Sequence, residues 1–132
     1  MKEGWEELKI VFIMKEILIV GAGSCLGGML RYIVSLALKN ISTFPLGTFT
    51  VNILGCFLIG LLWSLSNKHT NLSNEISLFL MVGFCGGFTT FSTFSKESLS
   101  LLSSEYYLPF LLYSIGSIVL GILAVAIGYR IS

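Results

Sequence analysis

Three long stretches of this chain contain no Asp, Glu, Lys or Arg: Asn40 to Asn67, Ile76 to Ser95 and Tyr106 to Tyr129. A fourth stretch, Ile17 to Leu38, holds only Arg31. A helix needs about 20 mostly apolar residues to cross a bilayer, and each stretch is that long. Overall 11% of residues are charged and 55% hydrophobic, against about 25% charged in a soluble domain. The pattern excludes a soluble globular fold. It predicts an all-α integral membrane protein with spans Ile17–Leu38, Leu46–Ser66, Ile76–Leu102 and Leu108–Ile131.

The breaks between spans carry turn chemistry. Lys39 to Pro45 is polar and ends in proline. Asn67 to Glu75, which includes the only histidine, His69, is the most polar stretch, and Ser73 or Asn74 is placed to cap the next helix. Ser103 to Pro109 brings two tyrosines to an interfacial depth. Residues 14–132 form the membrane domain. Residues 1–13 are an extension in which Trp5, Leu8 and Phe12 fall on one helical face, suiting a short helix lying on the membrane surface. Met14 followed by Lys15 and Glu16 resembles an ordinary start, which makes the extension dispensable.

Net charge is +1. There is no basic face for nucleic acid and no acidic sink for cations. With the N-terminus in the cytoplasm, Lys15, Lys68 and Arg130 lie on that side and Lys39 and Lys96 on the other. That bias is close to balance, as in a chain that inserts both ways. Cys25, Cys56 and Cys85 match no metal or redox spacing and read as small buried hydrophobes.

Small residues recur at helical spacing: Gly23 and Gly27, Gly83 and Gly87, then Ser117, Gly121, Ala124 and Gly128. Such stripes let helix backbones approach closely in lipid. Four short helices cannot enclose an aqueous path alone, so oligomerisation is expected.

Gly21-Ala22-Gly23-Ser24-Cys25-Leu26-Gly27 imitates a dinucleotide-binding turn. Its third glycine is displaced, and no acid follows before Glu75, so helix packing explains these glycines better. Arg31 either meets an anion or anchors the fold through carbonyls. The third span contains Gly86-Gly87 followed by Thr89-Thr90, a poor helix interior near mid-membrane. A broken helix there must give its freed backbone groups to protein, water or an ion. Thr89, Ser92 and Thr93 are expected on one face, with Phe88, Phe91 and Phe94 on its neighbour. Asn52 is the only carboxamide within a span, and serves either as glue between helices or as an N–H donor to a small anion. Tyr113 and Ser117, four apart, extend the polar track.

Gly27-Gly28 with Arg31-Tyr32, Gly47-Thr48 with Val51-Asn52 and Gly55, and Gly83-Phe84-Cys85-Gly86-Gly87 with Thr89 to Phe94 resemble the motifs of the CrcB/Fluc fluoride channel family. The resemblance runs from about Met14 to the C-terminus, with the fourth span matching loosely. It implies an antiparallel, dual-topology homodimer in the cell membrane, with two fluoride pores and a broken third helix. It further implies a sodium ion at the dimer centre, held by the main-chain carbonyls of Gly86 and Thr89. By the same resemblance Asn52, Phe91 and Phe94 line the pore with Thr93 nearby, and Arg31 takes the family's first-span arginine position. The residue types suit the passage of such an ion. Asn, Ser and Thr donors and aromatic ring edges can replace fluoride's water, whereas Lys or Arg would hold the ion too long.

A small four-span drug/proton antiporter is the rival reading. It needs a titratable acid inside the membrane, and Glu16 and Glu97 read as span-edge residues. An enzyme is not expected, since no nucleophile–base pair or ligand cluster is present.

Overall fold

The computed structural model describes residues 1–68 and 72–132; the reading of His69 as a loop residue falls outside them. In chain order the elements are α1 (Lys2–Leu38), α2 (Leu46–Lys68), α3 (Asn74–Ser77), a wide π-helical stretch (Leu78–Cys85), α4 (Gly86–Phe88), α5 (Phe91–Ser103) and α6 (Tyr107–Ile131). Taken together, Asn74–Ser103 forms one interrupted span. With α1, α2 and α6 it makes four helices long and apolar enough to cross a membrane.

The ends of these helices follow from local chemistry. Ser73 caps α3, its hydroxyl accepting the Ile76 amide at 3.2 Å. Pro45 immediately precedes α2 and Pro109 sits in the first turn of α6, where no helical N–H is needed. α5 closes with Tyr106 N–H donating to Leu101 O and Glu105 N–H to Leu102 O, both at 3.1 Å or less. That pairing requires a left-handed residue, and Glu105 supplies it at φ 62°.

α1 differs from the expected first span. Its 37 residues extend about 55 Å, against about 30 Å of hydrocarbon, and the helix runs unbroken through residues 2–16. No proline falls there and Gly4 is the only glycine, so no strong breaker stops the helix from propagating. Near the start of the apolar part, Lys15 Nζ reaches Glu75 Oε1 at 3.1 Å and Asn74 Nδ2 donates to Glu16 Oε1 at 3.3 Å. These contacts tie α1 to the foot of α3.

Two packing seams organise the bundle. Along the first, α1 lies on the π-helical stretch and α4. Gly23 and Gly27 of α1 face Gly83 and Gly87, so closely that a Cβ on Gly27 would overlap the Phe84 carbonyl and one on Gly87 the Ser24 carbonyl. Ser24 Oγ adds a bond to Gly83 O at 3.2 Å. Along the second, α2 lies on α6, with Gly60 against the Val125 carbonyl and Gly128 against that of Phe57. Such approach maximises dispersion where lipid gives helices no hydrophobic reason to associate. Most large apolar side chains point outward, as a lipid-facing surface requires. Of the three cysteines only Cys85 is buried. Cys56 is half-buried and Cys25 is exposed, because Cys25 lies off the glycine face of α1.

Candidate functional site

The interruption in the third span lies at Thr89 and Thr90, which are extended at φ −88°, ψ 158° and φ −151°, ψ 121°. Sequence pattern placed the weakness across Gly86-Gly87 and Thr89-Thr90, and within that stretch both glycines remain helical. Gly87 is there to let α1 approach. The β-branched threonines, which favour extended backbone, are where the helix gives way.

Asn52, from the second turn of α2, holds the break open. Its Oδ1 accepts the Thr90 amide at 2.8 Å and its Nδ2 donates to the Thr90 carbonyl at 3.1 Å. The side chain thus satisfies one extended residue as a neighbouring strand would, which removes the cost of unpaired backbone in an apolar setting. One Nδ2 hydrogen is committed to Thr90 and the other is left over. Arg31 takes another freed group, its Nε donating to the Gly87 carbonyl at 3.0 Å. Thr89 Oγ1 turns back to the Cys85 carbonyl at 2.8 Å. Thr90 caps α5, its Oγ1 accepting the Thr93 amide at 3.2 Å. The Thr90 hydroxyl also lies 3.2 Å from both Ser92 Oγ and Thr93 Oγ1. Among the described residues no side chain donates to the carbonyls of Gly86 or Thr89.

The break redistributes the predicted faces. Thr89 is extended within it and does not share a helical face with Ser92 and Thr93. Phe88 is buried and stacks on Phe84 at 5.7 Å, so it leaves the aromatic row. Phe91, 79% exposed, pairs with Phe94 at 5.7 Å, and Phe94 meets the Tyr113 ring at 5.1 Å. Both phenylalanines line an open groove of about 380 Å³ together with Asn52, Gly86, Thr89 and Ser117. The Ser117 hydroxyl there is buried and has no partner among the described residues.

Tyr113 is fully buried, and its hydroxyl identifies a residue that the sequence reading set aside. It donates to Glu97 Oε2 at 2.7 Å, while Thr48 Oγ1 donates to Glu97 Oε1 at 2.9 Å. Glu97 therefore turns inward between α2 and α6, at the level of the first turn of α2. The signal was available: Thr90, Thr93 and Glu97 follow 3-then-4 spacing, one face of α5. Continuing from Phe91, the polar side chains run as a strip past Asn52, Thr90 and Thr93 to the Glu97–Tyr113–Thr48 group. A second cavity of about 420 Å³ opens onto Glu97 and Thr48 from the Lys39 end of the bundle.

The arrangement offers neutral N–H and O–H donors and aromatic edges along an otherwise apolar bundle. It suits a small species that must shed water and move on. Residues 18–129 match the model of the family described as CrcB-like protein, Camphor Resistance (CrcB). The chain is 49% identical over 121 residues to a fluoride-specific ion channel FluC of Phocaeicola vulgatus, covering 90% of this chain and 99% of the relative. It is 48% identical to proteins of the same name from Bacteroides fragilis, over 87% of this chain and 94% of the relative, and Chloroflexus aurantiacus, over 87% and 93%.

Proposed function

This chain belongs to the CrcB family, and from that premise we propose that it is a multi-pass membrane channel for passive fluoride export. The relatives named as fluoride-specific channels share nearly half their residues with it over almost their whole length. The observation that carries the reading is the break at Thr89-Thr90, locked by Asn52 and facing the same groove as Phe91 and Phe94. Fluoride binds water strongly, so its path must offer close donors in place of water. The uncommitted Asn52 N–H, the hydroxyls of Ser92, Thr93 and Ser117, and the positive ring edges of Phe91 and Phe94 have that chemistry. Tyr113 and Thr48 hold the Glu97 carboxylate in place between α6 and α2, each donating to one of its oxygens. Fluoride leaves down its gradient with no coupled ion.

The same reading makes the working unit an antiparallel homodimer inserted in both orientations. Support comes from the nearly balanced Lys and Arg distribution, and from a groove open along the side of a single chain. A second copy would close it into paths at the two sides of the interface. The carbonyls of Gly86 and Thr89 at the groove have hard oxygens, which suit sodium. Bound there, sodium would neutralise helix carbonyl ends and raise the local positive potential. Arg31, holding Gly87 O, keeps α4 in register with α1 and acts as a structural anchor.

An antiporter would use Glu97 as its titrating acid, since that carboxylate does lie inside the bundle. Its two hydroxyl donors and the family membership favour the channel. The test is efflux from liposomes loaded with fluoride or chloride. Rapid fluoride release with chloride retained is expected. Equal release of both, or release that depends on a proton gradient, contradicts the proposal.

A further inference from the structure

Cys56 of α2 and Cys85, the last residue of the π-helical stretch, line the same groove as Asn52, Phe91 and Phe94. Both are free thiols. They flank Thr89. The Cys85 carbonyl accepts the Thr89 amide at 3.0 Å and its hydroxyl at 2.8 Å, and Gly55, next to Cys56, packs directly on the Thr89 methyl. Gly121 leaves room beside Cys56, since even a Cβ there would stay 3.5 Å from its Sγ. Among the described residues no group of three or more His, Cys, Asp or Glu side chains gathers for a metal. The donor set is therefore two sulfurs and nothing more.

We propose that Cys56 and Cys85 form a two-thiol site for a soft, linearly coordinated cation such as Hg(II), Ag(I) or Cu(I), and that its occupation blocks the groove. Two thiolates suit these ions. Zinc needs three or four protein ligands and hard cations need oxygen. Mercuric chloride is a suitable probe because it is neutral and enters the apolar phase without using the anion path. Each thiol gives up its proton and each chloride leaves: two thiols and one HgCl2 give one S–Hg–S bridge, two protons and two chlorides. The bridge would join α2 to the segment entering the break, beside Thr89. The block, though not the binding, rests on the groove conducting fluoride.

The test uses the full chain in liposomes and in detergent, with wild type, Cys56→Ser, Cys85→Ser and Cys25→Ser. Mercuric chloride is expected to remove two thiols and add one mercury per chain in Cys25→Ser, and in wild type to react further with the exposed Cys25 thiol. In the Cys25→Ser background either groove substitution leaves one thiol, which holds mercury only as S–Hg–Cl, with one proton and one chloride released and no bridge. Fluoride efflux should fall by about tenfold or more in wild type and Cys25→Ser, as expected of an occluded path, and should be spared in both groove variants. Loss of bridging on Cys25→Ser, or inhibition that survives either groove variant, overturns the site. A bridge formed with unchanged efflux overturns the block. Because thiol and mercury counting need no conduction, a chain that passes no fluoride still tests the binding and separates its failure from that of the channel reading.

Discussion

The two faces of the third span use opposite means to solve one problem. Toward α1 it presents Gly83 and Gly87, and the seam is held by backbone approach with bonds from Ser24 to the Gly83 carbonyl and from Arg31 to the Gly87 carbonyl. Toward α2 and α6 it presents Thr90, Thr93, Phe94 and Glu97, and the seam is held by side-chain hydrogen bonds from Asn52, Thr48 and Tyr113. The first seam tolerates no added atom and offers nothing to an ion. The second leaves donors spare and an open groove. On the proposed path, rigidity and passage are thus separated across one helix. Substitutions on the glycine side should cost folding, while those on the polar side should cost flux first.

The largest effect is expected from Gly27→Leu, whose side chain must occupy the position of the Phe84 backbone. Overpacking costs about 1–3 kcal/mol even in cores that can yield, and backbone on both sides cannot. No monodisperse protein should be recovered on size-exclusion chromatography. Asn52→Leu comes next. It leaves both polar groups of Thr90 unpaired, and intramembrane bonds are worth about 0.6–2 kcal/mol each. A lower unfolding midpoint is expected together with loss of fluoride efflux. Tyr113→Phe deletes one donor to Glu97 and keeps the ring contact with Phe94. Its expected cost is about 1 kcal/mol, with altered efflux and recoverable protein. If its efflux and pH profile match wild type, the Glu97 group does not belong to the path. The smallest effect is Gly21→Ala, on the same helix as Gly27 but with nothing within 4 Å of the new carbon. Removing an interior helical glycine should raise stability by about 0.5–1 kcal/mol. Equal damage from Gly21→Ala and a matched Gly27→Ala would erase the distinction between packed and idle glycines.

The spans were legible because uncharged length is a one-dimensional property. Leu46 as the start of α2, Ile131 as the end of α6 and Ser73 as a cap follow from local composition and turn chemistry alone. The break was legible as a weak stretch from Gly86 to Thr90, but not to the residue. Glycine weakens a helix intrinsically, but whether it bends one depends on whether another helix needs the space its missing side chain leaves, and Gly87 is claimed by Ser24. The π-helical stretch was hidden because Leu78 to Cys85 reads as uniformly apolar, without a periodic signal. The inward turn of Glu97 was missed for a related reason. Its neighbour Lys96 suggested a water-facing end, whereas the next side chain lies about 100° round the helix, toward Thr48 and Tyr113. That Asn52 serves as glue and retains a spare donor could be settled only by seeing which atoms Thr90 engages.

Passage of fluoride beside Phe94 is tested most directly by fluoride efflux from liposomes containing Phe94→Leu, paired with thermal unfolding of the same variant in detergent. The leucine fills most of the space but has no ring edge to offer an anion. Efflux should be reduced by about tenfold or more, because the anion loses a positive ring edge that stands in for its water, with an unfolding midpoint close to wild type. Normal efflux from the folded variant would contradict a path beside Phe94.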